Sequence, residues 1–293
     1  MKMLGAISRH KWRYLAIVGG FVLFVAPMAL FTRVGLWLQG SGGTADMHDL
    51  CYRMPFAWLI SGNFAALNGR YLLMFFLGSV MTTAFFFGPL FCGWLCPVGS
   101  STELISRPVP RKLKIDLSKQ LNPAALRYGF LASFLLVSAL VGFATTPVLA
   151  SICCRYCAST QIQNITSGIS NPTAITYWAS GSILALGGWL ILGGIFWQGG
   201  RGWCLYGCPL GAVSNGLHAI GSKLGFTYKV KHDGTNCTQC GKCEQVCPSW
   251  AITGNGDDVN INRSTCTACL ECLKACDNNC YSYKRGKSYE KRH

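Results

Sequence analysis

Four stretches of this chain run without a charged residue for about the length that crosses a bilayer. Tyr14 to Phe31 is uncharged, and Val34 to Leu38 carries the run past a single Arg33. Tyr71 to Phe91, Tyr128 to Ile152 and Ala174 to Trp197 repeat the pattern. A helix needs about 20 apolar residues to span a bilayer core, where only internally bonded backbone is tolerated. The pattern predicts four transmembrane helices, at about 14–38, 71–91, 128–152 and 174–197, within a membrane domain covering 14–228. Beyond it, glycine, asparagine and charge replace the apolar runs, predicting a small soluble module over 229–280 and a basic tail over 281–293. A module of that size has too thin a core to stand on burial alone and needs a staple.

Composition agrees with a membrane domain. Hydrophobic residues make up 51% of the 293 and charged residues only 13%, against about a quarter charged in soluble domains. Mean hydropathy is +0.31. Lysine and arginine are unevenly spread between the runs. Lys2, Arg9, Lys11 and Arg13 precede the first run, and Arg107, Arg111, Lys112, Lys114, Lys119 and Arg127 fill the second connection. The first connection holds only Arg53 and Arg70, and the third only Arg155. By the positive-inside bias the flank 1–13, the second connection and the C-terminal tail are cytoplasmic, and the first and third connections face outward. The first run starts like a signal peptide but is longer than a signal core and lacks a small-x-small cleavage site, so an uncleaved helix is expected. The net charge of +15 is largely this bias, together with attraction to anionic lipid. No basic aromatic module accompanies it, which argues against nucleic acid as a partner.

Seventeen cysteines carry the candidate chemistry. Cys237, Cys240, Cys243 and Cys247-Pro248 read C-x2-C-x2-C-x3-C-P; Cys266, Cys269, Cys272 and Cys276 repeat the spacing with Asp277 in place of the proline. In the bacterial ferredoxin pattern three close thiolates hold one cubane and the fourth reaches across to the other. On that rule Cys237, Cys240, Cys243 and Cys276 hold one [4Fe–4S] cluster, and Cys266, Cys269, Cys272 and Cys247 hold the second. Cys280 lies outside both sets. Zinc modules favour two separated C-x2-C pairs, often with histidine, and disulfides are disfavoured in a reducing cytoplasm.

Two further segments match each other: FCGWLCPVG, with Cys92 and Cys96, and WCLYGCPLG, with Cys204 and Cys208. Each closes a pair of apolar runs, so the membrane domain reads as two parallel helix-pair repeats. Function in such proteins often lies between the repeats. Spacing i, i+4 puts two thiols on one helical face, and the proline helps end the helix there. Two readings stand: one four-thiolate redox or metal site at the membrane surface, or two thiol pairs without metal. The fold class expected is an all-α membrane domain of four transmembrane helices followed by an α+β ferredoxin domain with two [4Fe–4S] clusters.

Cys51 lies in the first connection, and Cys153, Cys154 and Cys157 lie in the third, both on the outward side. They are either disulfide partners, the default of an oxidising compartment, or ligands of an outer-face cluster. The two sites together would add one or two further iron–sulfur clusters. There is no C-x-x-C-H, no dinucleotide or Walker motif and no defensible Ser/His/Asp set. His10, His48, His218, His232 and His293 all lie outside the predicted helix cores, which argues against a bis-histidine haem. His218 reads first as an interfacial histidine and second as a neighbour of a quinone headgroup.

Four helices, two C-x-x-x-C-P motifs and a C-terminal double-cluster module resemble the NapH/MauN/NosR-type membrane ferredoxins, above all the NapH branch. The resemblance covers about Arg9 to Cys276. It implies a multi-pass protein of the bacterial inner membrane that passes electrons between the quinone pool or cytoplasmic carriers and an extracytoplasmic redox partner. Its partners would be ferredoxin-like, cytochrome or reductase subunits of a larger complex, with quinone as a further ligand. That makes it a quinol dehydrogenase-like subunit rather than an enzyme with its own substrate pocket. The alternative is an accessory protein that reduces or assembles the metal centre of another enzyme. The outward-facing cysteines depart from the family pattern and put nitrate reduction in doubt as the pathway served.

Overall fold

The computed structural model describes residues 11–25, 28–40, 53–68, 70–117, 120–143, 157–170, 187–188, 191, 194–255 and 258–286. The first apolar run is not one helix. Helices α1 (Lys11–Phe24) and α2 (Leu30–Leu38) are separated at Ala29, whose backbone is left-handed with φ 39. That conformation cannot continue a right-handed helix, and the sequence places Pro27 in the same interval. Two short helices thus replace the single span expected over 14–38.

Helices α3 (Arg53–Ile60) and α4 (Phe64–Asn68) follow in the first connection, and then α5 (Tyr71–Phe87). Its Ser79 and Thr83 hydroxyls donate to the carbonyls of Phe75 and Ser79, both at 2.7 Å, so neither needs water. The helix stops at Gly88, with φ 78, and the chain makes one π-helical turn (Phe91–Leu95) before α6 (Pro97–Ser106). Helix α1 packs on that turn at Gly20, where any side chain would overlap the Leu95 carbonyl. Phe24, Phe31, Phe76 and Phe91 form the apolar core beside it, with ring centroids 5.4–5.8 Å apart.

Helix α7 (Pro123–Gly142) starts on a cap: the Asn122 side chain accepts from the N–H groups of Ala124 and Ala125 at 3.1 and 3.3 Å, and Pro123 takes the first position, where no N–H is needed. Its 20 residues span about 30 Å. Among the described residues it is the one helix long and apolar enough to cross a bilayer. Trp12–Phe24 and Tyr71–Phe87 are shorter apolar helices. Most of the run over 174–197, and residues 144–152 of the third run, lie outside the described residues. Helices α8 (Ala158–Ser170), α9 (Gly202–Tyr206) and α10 (Pro209–Gly221) complete this half.

The C-terminal module is a duplication. Strand β1 (Lys229–His232), helix α11 (Lys242–Val246) and strand β2 (Ile252–Asn255) are followed by β3 (Asp258–Ile261), α12 (Glu271–Ala275) and β4 (Tyr281–Lys284). Every boundary recurs 29 residues on, from Lys229 to Asp258, from Lys242 to Glu271 and from Ile252 to Tyr281. The halves interlock rather than stand side by side. Antiparallel ribbons join β1 to β4 and β2 to β3, so each ribbon takes one strand from each half. The duplication reaches the backbone angles too. Gln239 and Ala268, Gly241 and Leu270, and Trp250 and Asn279 all have positive φ, as three pairs at the same offset. A left-handed residue turns the chain sharply back, which curls each cysteine loop around a hollow.

Candidate iron–sulfur sites and their docking

Two hollows in the module are lined by thiols, and the partition of the thiols is informative. The first, about 340 Å³, is lined by Cys237, Cys240, Cys243 and Cys276. The second, much smaller, is lined by Cys247, Cys266, Cys269 and Cys272. Each hollow takes three cysteines from one half and the fourth from the other, because β1 and β4 cross between the halves. The backbone supports the odd sulfur in matching ways. Ala251 N–H donates to Cys247 Sγ at 3.3 Å, and Cys280 N–H donates to Cys276 Sγ at 3.4 Å. Among the described residues no three His, Cys, Asp or Glu side chains converge on one point as ligands of a single ion. Thiols that surround a volume fit a cubane, whose four irons each take one sulfur, better than a lone tetrahedral zinc. The donor set of each hollow suits a [4Fe–4S] cluster; the first, at about 340 Å³, also has the room, whereas the second, at about 20 Å³, has space for little more than a water.

The two hollows differ in setting. Cys240 is exposed, and the N–H of Lys242 lowers its pKa. At the second hollow, burial pushes the Cys269 thiol up to about 11 against the pull of Arg13, and raises Cys247, Cys266 and Cys272. Sulfurs this dry become thiolates only with a cationic partner, which iron supplies.

The C-x-x-x-C-P thiols form a third group. Burial pushes Cys92 up to about 12, with Cys96 and Cys204 adding to the shift and Arg201 and Arg127 opposing it. Cys204 rises to about 11 by burial, and Cys208 is raised by burial with Cys204, Cys92 and Cys96 contributing. The two motifs thus share one dry pocket. Gly99 of the first motif makes room for it: a Cβ there would sit 2.9 Å from Cys204 Sγ.

The prolines explain the arginines around this pocket. Pro97 and Pro209 have no N–H, so the carbonyls four residues earlier, Gly93 and Leu205, lose their helical donor. Arg13 Nε bonds the Gly93 carbonyl at 3.2 Å, and Arg127 Nε bonds the Leu205 carbonyl at 3.1 Å. In the π-helical turn Cys96 N–H bonds Phe91 rather than Cys92; Arg201 Nη1 takes the freed Cys92 carbonyl at 2.6 Å. Arg127 Nη2 does the same for Cys204. Each motif thus has its first cysteine and the next residue tied by buried guanidinium groups. Glu103 anchors the first side, bonding Arg13 at 2.7 and 2.8 Å and Arg201 at 2.7 Å. Burial raises the Glu103 pKa, but Arg201 and Arg13 outweigh it and hold the carboxyl well below the usual range.

The same arginines reach the ferredoxin module. Arg13 pairs with Glu271, between Cys269 and Cys272. Arg127 Nη1 donates to the Ser264 carbonyl at 2.8 Å, and Asn215 donates to the Cys266 carbonyl at 3.2 Å. Trp94 Nε1 donates to Ala268 at 3.1 Å, and Trp250 Nε1 to Gln198 at 2.6 Å. Gly93 is the closest approach: a Cβ there would overlap the Thr267 carbonyl and lie 3.2 Å from the Cys269 Cα. The second thiol hollow is pressed onto the C-x-x-x-C-P pocket, and the first faces away.

Several sequence expectations land elsewhere. Arg13 and Arg127 enter the charge count as loop residues at the membrane surface; both are buried. The signal that could have found them is positional, since each stands in the first turns of the helix that opens its repeat. His218, read as an interfacial residue, is 1% exposed and packs beside Gly88. Cys280 lines the first hollow without belonging to either ligand set. Cys51, Cys153 and Cys154 lie outside the described residues. Cys157 is described, and no disulfide joins it to another described cysteine. Ala158, next to it, is buried in an apolar cluster with Val25, Val98 and Ile162, against which Cys96 and Trp203 pack. The start of α8 therefore lies beside the C-x-x-x-C-P pocket, not a bilayer's width from it as an outward connection requires.

Comparison with known proteins finds iron–sulfur families over the cysteine-bearing segments. A family described as "4Fe-4S binding domain" matches residues 70–116 and 181–227, the two segments that hold the C-x-x-x-C-P motifs. One described as "4Fe-4S dicluster domain" matches 229–277. Fold, thiol-lined hollows and these matches define an iron–sulfur electron-transfer protein of ferredoxin type. The methylamine utilization ferredoxin-type protein MauN of Methylorubrum extorquens is 27% identical over 83% of this chain and 77% of its own length. The ferredoxin-type protein NapH of Haemophilus influenzae is 28% identical over 64% and 59%, and YccM of Escherichia coli is 22% identical over 76% and 60%. The chain is thus similar to the NapH/MauN-type ferredoxins along most of its length. It spans about three fifths of the length of NapH and YccM. No solved structure matches it.

Proposed function

We propose that the chain is a multi-pass membrane subunit that takes electrons at the exposed end of its ferredoxin module and delivers them to the membrane side, or the reverse. Cys237, Cys240, Cys243 and Cys276 would hold the outer [4Fe–4S] cluster, and Cys247, Cys266, Cys269 and Cys272 the inner one. Cys92, Cys96, Cys204 and Cys208 would hold a third iron–sulfur centre. Bound there, such clusters supply one-electron storage and transfer. The protein's own part is spatial. It leaves Cys240 open to a redox partner, dries the inner sulfurs, and brings Cys269 against Gly93 of the first C-x-x-x-C-P motif. That last contact carries the reading, because it puts the three thiol groups in series. A quinone or an extracytoplasmic redox subunit would meet the membrane side, where the 20-residue α7 is long and apolar enough to cross and the other apolar runs would complete the span.

Iron and sulfide analysis with EPR on full-length, anaerobically purified protein tests this. About twelve irons are expected in the wild type and about eight in Cys204→Ala, since each [4Fe–4S] cluster holds four. A wild type with about eight irons, unchanged in Cys204→Ala, would remove the third centre from the series.

A further inference from the structure

The C-x-x-x-C-P pocket carries more positive charge than its carboxylates can balance. Arg13, Arg127 and Arg201 are all buried; Arg13 pairs with Glu103 and Glu271 and Arg201 with Glu103, with half-buried Arg107 bonded to Glu103 as well. Arg127 is the clearest case. Its nitrogens are spent on the carbonyls of Leu205, Cys204 and Ser264, and among the described residues it pairs with no carboxylate. A buried cation without a counter-charge is costly, and guanidinium does not escape by losing its proton. The nearby groups able to carry negative charge are the sulfurs of Cys204, Cys208 and Cys92 and the phenol of Tyr128; a phenol keeps its proton at neutral pH. As free thiols or as disulfides the sulfurs are neutral. As four thiolates around a metal centre they are anionic, and the surplus cations have their partner.

We propose that Arg127 and Arg201 are positioning residues that hold the four C-x-x-x-C-P sulfurs as an anionic tetrathiolate centre and raise its reduction potential. Reduction adds one electron and no proton to a site whose cations are already in place, so the reduced state gains more from them than the oxidised state. The dry surroundings strengthen that preference. The two motifs receive the charge in parallel, on the carbonyl of the first cysteine and of the residue after it. The inference rests on the reading of these thiols as a metal site.

A redox titration followed by EPR, on full-length protein with Arg127→Gln, Arg127→Lys and Arg201→Gln, tests it. The potential of the C-x-x-x-C-P centre is expected to fall by about 59 mV in either glutamine variant, a tenfold change in a one-electron equilibrium. Arg127→Lys, which keeps the charge but not the fork, should recover most of that shift. The signal of the outer cluster, at Cys237, Cys240, Cys243 and Cys276, should stay in place. An unmoved potential in a variant that melts earlier would overturn the proposal and leave the arginines as structural clamps. Arg201→Gln keeps the question open to measurement if Arg127→Gln does not accumulate. A wild type with no third titrating centre would overturn both this inference and the reading beneath it.

Discussion

The two thiol-lined hollows of the ferredoxin module are copies of one 29-residue unit, yet they face opposite fates. The first opens to solvent at Cys240 and is roomy, at about 340 Å³; the second is small and sealed beneath Gly93, Trp94 and the Arg13–Glu271 pair. Local structure does not make this difference, since helices, strands and positive-φ residues match pair by pair. Docking makes it. Burial against the N-terminal half dries one set of sulfurs and leaves the other available, turning a symmetric module into one with two unlike ends.

Substituting one cysteine of each set should break the comparison most strongly. Cys240→Ser and Cys269→Ser are each expected to lose about four irons, but Cys240→Ser should leave the inner cluster reducible through the membrane side. Cys269→Ser should leave an outer cluster that reduces normally and passes nothing on. EPR of the two variants, reduced from either end, reads the outcome.

Next in size is the ion network that seals the inner hollow. Glu103→Gln leaves the buried Arg13 and Arg201 short of their carboxylate, which should cost about 3–5 kcal/mol, read as a lowered melting temperature. The exposed Lys242–Asp277 pair beside the open hollow is the contrast: breaking it should cost no more than about 1 kcal/mol.

His218 sharpens the comparison through pH. Burial, then Arg263 and Lys229, pushes its pKa down to about 4, so the folded protein keeps it neutral while the unfolded chain, with a pKa near 6.5, takes up a proton. Its contribution to stability is full above about pH 6.5 and is lost as pH falls toward 4, by about 3 kcal/mol in all. Unfolding at pH 7 and pH 5 should show the loss in the wild type and a flatter profile in His218→Leu. An equal slope in both would remove His218 as the cause.

The contact between the two halves comes last among the buried features. Gly93→Val forces a side chain onto Thr267 and Cys269, costing about 1–3 kcal/mol by overpacking. Both ferredoxin EPR signals should survive while electron exchange with the C-x-x-x-C-P centre slows. Unchanged exchange would mean that the series runs by another route.

Much of the chemistry was legible from spacing. The C-x2-C-x2-C-x3-C runs announce the crossed ligand sets because a fixed loop length and one backbone curl recur together, and the hollows divide the cysteines as that rule divides them. The paired C-x-x-x-C-P motifs were equally visible. The arginines were not, because the positive-inside rule counts charge by position in the chain and is blind to whether a guanidinium meets solvent or an orphaned carbonyl. Nor was the break in the first apolar run, where hydropathy continues through Ala29 although the backbone does not. Cys157 misled for a related reason: linear order places it a helix away from Cys96, and the packing of Ala158 against Val98 brings it back.

The sequence by itself determined how the module's eight thiols group, since thiol spacing in a short loop leaves few ways to surround a hollow. It also determined the apolar stretches, since hydropathy is a local property. Only the tertiary structure decided which of two equivalent hollows faces outward and which is buried, and which arginines become part of the site. Those outcomes depend on surfaces contributed by residues up to 258 positions apart, as with Arg13 and Glu271, and no local pattern records them.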